Sequence, residues 1–201
     1  VYCRKAGSLQ GKEEILLNVN EMAKGHDYFQ VTGLSVSEDN AILAYGVDTV
    51  SRRRYTIHFK NLKTGKETDA AIPNTEGQVT WANDNKTIFY SKKDSVTLRS
   101  NRIYKHKLGA DPSGDPLIFE EKDETFYTGV YKTKSNKYII IWSGSTLTNY
   151  FQTLDANAPD SKFKEFSPRE RGLEYSIDHY GDKFYVVTNL DAQNFKLMET
   201  P

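Results

Sequence analysis

Four stretches of this chain repeat one pattern at a nearly constant interval. They are "SVSEDNAILAYG" (35–46), "VTWANDNKTIFYS" (79–91), "VYKTKSNKYIIIW" (130–142) and "YSIDHYGDKFYVV" (175–187). In each, an apolar run enters a turn of Asp, Asn, Ser or Gly and a second apolar run leaves it. Those turn residues favour tight reversals through side-chain hydrogen bonds or backbone freedom. The turn centres, Asp39, Asp84, Ser135 and Tyr180, lie 45, 51 and 45 residues apart. A repeat of about 40–50 residues is the interval of four-stranded propeller blades.

A third apolar segment follows each hairpin: "RRYTIHFKNL", "NRIYKHKLG", "TNYFQTLDAN" and "QNFKLMET". In the first, Tyr55, Ile57 and Phe59 alternate with Thr56, His58 and Lys60. That period of two marks a strand with one buried face. "KTGKE" (63–67) then turns the chain into an expected fourth strand, "DAAIP" (69–73). The fold class expected is all-β: a β-propeller of four-stranded antiparallel blades. Blades are expected over 33–75, 76–125 and 126–172, with 173–201 incomplete and 1–32 supplying outer strands of a preceding blade. One short turn of helix is expected in "NVNEMAKGHD" (18–27), ending at Gly25.

Composition narrows the function. Lys+Arg and Asp+Glu both number 27, so the formal net charge is zero and nothing favours a nucleic-acid partner. No apolar run approaches the length of a membrane-spanning helix, so no membrane partner is expected. The single Cys3 excludes an internal disulfide framework. Without a signal-peptide pattern the cytoplasm is the expected compartment, and the missing initial Met suggests a start in mid-protein.

Catalytic motifs are missing. G-x-S-x-G does not occur, and Ser143 and Ser145 in "WSGSTL" read as a turn after a buried strand. His26, His58, His106 and His179 are scattered without metal-ligand spacing, so neither metal nor cofactor is expected. The acid pairs Glu13–Glu14 and Glu120–Glu121 stand beside lysines and read as solvated surface, and because neighbours on a strand point to opposite faces neither pair converges for catalysis. The residues of this segment predict no catalysis of their own.

Blade connectivity does separate two loop sets. Hairpin turns such as "SEDN" and "KTGK" share one end of the sheets, while longer charged connections share the other: "GHDYFQ", "VDTVSRRRY", "SKKDSVTLRSN", "EEKDETFYTG" and "SPRERGLE". Binding residues concentrate in such connections. Asp27, Arg52 and Arg53 are the candidate interdomain contacts there, Arg being suited to bidentate pairing with carboxylates.

The wording of the loops goes beyond strand periodicity. "GHDYF", "SVSEDNAILAYGVDTVSRRRYTIHFKNLKTGK", "EYSIDHYGDKFYVVTN" and "AQNFKLMETP" resemble the propeller of the oligopeptidase B (protease II) branch of the prolyl oligopeptidase family of serine peptidases. The resemblance spans essentially the whole chain. It implies a seven-bladed ring, of which this chain holds about four blades, roughly 315 residues being needed for seven. It also implies a C-terminal α/β-hydrolase domain, absent here, that carries the Ser, Asp and His and cleaves short peptides after Lys or Arg. The propeller would gate access to that domain. The alternative is a self-contained four-bladed propeller acting as a non-catalytic binding module. A propeller glycosidase or lyase lacks converging acids.

Overall fold

The computed structural model describes all 201 residues, which divide into two compact units, Val1–Gln78 and Val79–Pro201. In the first unit, β1 (Tyr2–Lys5) pairs antiparallel with β2 (Glu13–Leu17), and α1 (Val19–Met22) follows. The helix is shorter than expected: Asn18 caps its start, and the chain leaves through a turn to Gly25 at φ +83°. Next come β3 (Gln30–Val36), β4 (Ile42–Asp48), β5 (Tyr55–Asn61) and β6 (Ile72–Trp81), each antiparallel to the one before. Tyr55, Ile57 and Phe59 are buried, as their alternation requires.

The expected fourth strand over "DAAIP" is displaced. Asp69–Ala71 lie outside any strand, and β6 starts at Ile72. The Asp69 carboxylate accepts the Ala70 N–H at 2.8 Å, a local bond that competes with strand pairing. Further along, Gly77 sits at φ +83°, where β6 packs on β3 and β4 through bare backbone. A Cβ at Gly33 would lie 2.1 Å from the Gly77 carbonyl oxygen, and one at Gly46 2.5 Å from the Gly77 Cα. Only glycine permits that approach.

In the second unit, β7 (Thr87–Lys93), β8 (Ser100–Lys107) and β9 (Leu117–Glu120) continue from the end of β6, with a 3₁₀ turn at Pro112–Gly114. β10 (Tyr127–Lys132), β11 (Tyr138–Gly144), β12 (Asn149–Asp155) and β13 (Lys164–Glu165) form a four-stranded sheet in sequence order. β14 (Tyr175–Tyr180), β15 (Lys183–Thr188) and β16 (Lys196–Thr200) form a three-stranded one. The run "YIIIW" explains how these sheets stack. Ile139 and Ile141 point into a cluster with Phe89, Ile103 and Leu154, while Ile140 points the other way to Phe151, Tyr175, Ile177 and Phe184. A strand covered on both faces is apolar at successive positions, and each buried Ile contributes about 1.5–3 kcal/mol relative to exposure.

The hairpins obey one local rule. Asp39 accepts the Ala41 N–H, Asp84 the N–H groups of Lys86 and Thr87, and Ser135 the N–H of Lys137. One left-handed residue follows each turn centre: Asn40, Asn85, Asn136 and Gly181, at φ 57–64°. Three backbone bonds, Leu62 N–H to Ala41 O, Leu108 to Lys86 and Ala156 to Lys137, tie the outer turn to the inner hairpin in three successive repeats. The short turns thus gather at one end of each sheet, leaving the long connections at the other.

Candidate functional site

At the long-connection end of the first unit, Gln30 at the start of β3 stands opposite Asp48 at the end of β4. Asp27 and the 49–54 loop therefore sit at the same end of one sheet. Asp48, 1% exposed, organises that loop: its Oδ1 accepts the Val50 N–H at 2.9 Å, and its Oδ2 accepts those of Arg52 and Arg53 at 3.0 and 2.8 Å. Ser51 and Arg53 adopt positive φ, 58° and 52°, within this turn. Because Asp48 holds backbone, the Arg52 and Arg53 side chains remain at the exposed rim. Burial, the Tyr28 hydroxyl and the Asp48 carboxylate push the Tyr55 phenol up, while Arg53 opposes them, so these groups share one neighbourhood. Asp48 itself escaped the sequence reading, because an acid ending a strand looks like any other surface acid.

The second unit has a deeper site at its long-connection end. A cleft of about 650 Å³ is lined by Asp123, Thr125 and Phe126 from the β9–β10 connection, Ser145–Thr148 from β11–β12, and Arg169, Arg171 and Gly172 from β13–β14. Its wall is a charge cluster. Glu121, 4% exposed, receives Arg169 through both carboxylate oxygens, Nη2 to Oε2 at 2.5 Å and Nη1 to Oε1 at 3.3 Å. The guanidinium is sandwiched, its Cζ 4.4 Å from the Phe126 ring centroid and 4.9 Å from that of Tyr150. Such stacking over ring faces is electrostatically attractive. Arg99 braces the same connection by donating to the carbonyls of Glu121, Asp123 and Phe126 at 3.2, 3.0 and 2.6 Å. The Thr125 hydroxyl and N–H hold the Asp123 carboxyl below the usual carboxylate range.

These findings correct the reading of Glu120–Glu121 as solvated surface. Glu120 does lie outward, 2.8 Å from Arg102, but Glu121 is buried. Strand alternation sends one neighbour in and the other out, and only the position of Arg169, 48 residues away, decides that an acid can occupy the inner place.

The remaining polar residues serve the fold. His106 is fully buried with Nδ1 2.8 Å from Asp115, whose other oxygen accepts the Tyr90 hydroxyl at 2.8 Å. His179 Nδ1 lies 2.8 Å from Ser135 Oγ, which makes a Ser–His pair. It is not arranged for nucleophilic attack: Ser135 Oγ also caps its own turn, and Asp178 Oδ1 accepts the N–H groups of Lys134 and His179 rather than orienting the imidazole. Burial and the Lys137 ammonium also press the His179 pKa down. Ser143 is fully buried, and Ser145 Oγ reaches only the Thr148 carbonyl at 3.4 Å. No group of three or more His, Cys, Asp or Glu is placed to hold a metal ion. No helix is long and apolar enough to cross a membrane.

Residues 1–201 match the family described as the N-terminal β-propeller domain of prolyl oligopeptidase. The chain is 42% identical over 98% of its length to a dipeptidyl aminopeptidase BI of Pseudoxanthomonas mexicana, covering 27% of that protein. It is 34% identical over its full length to Protease 2 of Moraxella lacunata, covering 30% of it. Among solved structures, oligopeptidase B from Leishmania major superposes with a TM-score of 0.90 at 28% identity, over 98% of this chain and 28% of that one. The chain thus spans under a third of the length of these relatives. With its antiparallel sheets in sequence order and this match over every residue, the chain belongs to the N-terminal β-propeller domain family of the prolyl oligopeptidases.

Proposed function

We propose that this segment is the access-controlling propeller of a cytoplasmic serine oligopeptidase that hydrolyses short peptides after Lys or Arg. The observation that carries the reading is the family match over residues 1–201, joined to a long-connection end that is polar and charged in both units. The nucleophile, the base and the pocket for the basic side chain then belong to a C-terminal α/β-hydrolase domain outside this sequence. Acyl transfer there follows the Ser–His–Asp scheme. The propeller admits slender peptides, excludes folded proteins, and forms one side of an interface that opens and closes as a lid does. Arg52 and Arg53, held outward by Asp48, and Asp27 beside them are the groups we assign to that interface. The segment alone is expected to cleave nothing.

Assay of the complete protein on Arg- and Lys-containing peptides of increasing length tests this. Turnover that falls away for folded substrates supports gating; equal cleavage of a folded protein and of its unfolded peptides overturns it. The relative named a dipeptidyl aminopeptidase, at 42% identity, favours a second reading in which dipeptides are released from free amino termini. Blocking the peptide amino terminus separates the two: an endopeptidase tolerates the block and a dipeptidyl peptidase does not. The self-contained four-bladed binding module predicts no turnover at all.

A further inference from the structure

We propose that the cleft in the second unit is a subsite for the C-terminal carboxylate of a short peptide, with Arg171 as its anchor. The proposal deepens the peptidase reading and rests on it for the choice of ligand. Four arginines belong to this unit, and three are spent. Arg102 is paired with Glu120. Arg99 is bonded to three carbonyls of the 121–126 connection. Arg169 is bonded twice to Glu121 and stacked between Phe126 and Tyr150. Arg171 lines the cleft, is exposed, and makes neither an ion pair nor a side-chain hydrogen bond. A guanidinium offers five donors in a planar fork, a fit to a carboxylate through two parallel bonds.

The rest of the cleft favours a peptide over a simple anion. Ser145, Thr146 and Thr148 bring hydroxyls that can donate or accept, as peptide groups require. Asp123 lines the same space from another connection, and its ionised carboxyl repels a small, highly charged anion such as phosphate. A ligand bearing one carboxylate at its end and neutral amide groups beyond it satisfies both charges. The volume, about 650 Å³, lies in the range of ligand pockets, about 300–1,000 Å³. The anchor's base is set. The Gly172 N–H donates to Thr148 Oγ1 at 3.1 Å and the Gly172 carbonyl accepts from Asn189 at 2.9 Å, so the backbone next to Arg171 is tied on both sides.

The test compares one cleavable peptide as free acid and as C-terminal amide, in the complete protein and in its Arg171→Ala and Arg171→Glu variants. In the unaltered protein the acid is expected to show a KM about tenfold below that of the amide, with kcat unchanged. Arg171→Ala removes the difference and Arg171→Glu reverses it, while KM for the amide moves less than twofold. A preference that survives Arg171→Glu overturns the proposal. So does an equal rise in KM for both peptides, which instead marks Arg171 as a contact to another domain. If no peptide is turned over, the peptidase reading fails separately. Fluorescence titration with the same labelled acid and amide then decides the subsite, equal affinities overturning it and an Arg171-dependent preference upholding it.

Discussion

The 48–54 connection of the first unit and the 121–126 connection of the second are each built on one buried acid, neutralised in opposite ways. Asp48 is satisfied by three backbone N–H groups, so its loop closes on itself and the adjoining arginines are left facing out. Glu121 accepts one N–H of its own loop, from Asp123 at 3.1 Å, but its charge is met by Arg169 from a distant connection, so the cation is drawn in and the loop becomes one wall of a cleft. An acid met by its own loop makes a rim that presents charge to something else. One met by a far side chain draws that cation inward and shapes the wall of a pocket.

The largest effect expected from breaking this contrast is at Glu121. Removing one partner of a buried pair leaves the other uncompensated, so Glu121→Ala should lower stability by about 3 kcal/mol in denaturant unfolding of the complete protein. Asp48→Ala strands three donors beside water that can partly replace the carboxylate, and about 2 kcal/mol is expected. If Asp48→Ala costs more than Glu121→Ala, local capping outweighs the long-range pair and the contrast is inverted.

A third buried ionisable group answers the same problem by staying neutral. The His179 pKa is depressed chiefly by burial and then by Lys137, against the weaker pull of Asp178 and Asp182, with Tyr138 and Phe184 packed on the ring. Above the unfolded value of about 6.5 the imidazole is neutral in both states and its contribution is fully present. As pH falls below that value the unfolded chain gains a proton that the folded one refuses, and stability declines until the lower folded pKa is passed. The slope should reach at most about 1.4 kcal/mol per pH unit, and His179→Phe should flatten it; an unchanged slope would assign the dependence elsewhere. The smallest effect on stability is expected at Arg53. Arg53→Glu alters an exposed side chain, whose pairs contribute about 0–1 kcal/mol. Its consequence should appear in domain opening and KM, and unchanged kinetics would remove Arg53 from the interface.

Much of the fold was legible because it is local. Asp39, Asp84 and Ser135 announce their turns by chemistry that acts over two or three residues, and Asn40, Asn85, Asn136 and Gly181 supply the left-handed position beside each centre. The start of β6 was misplaced because Asp69 makes a local bond that no apolar pattern reveals, and because the Gly33–Gly46–Gly77 contact depends on strands far apart in sequence. In the candidate sites, Arg52 and Arg53 could be named from an exposed basic run. Asp48, Glu121, Arg99 and Arg169 could not, since each looks like an ordinary surface charge until its partner is known.

The repeat, the strand alternation and the sorting of short turns from long connections all follow from steric and hydrogen-bonding rules acting within a few residues. Which of the many charges are buried and which face outward depends on how distant segments pack. The cost of burying an ion depends on the groups that surround it, and those groups arrive from separate connections. Arg169 and Arg171, two residues apart in one loop, show the division: the first is claimed by Glu121 and two aromatic rings, the second is left to the cleft.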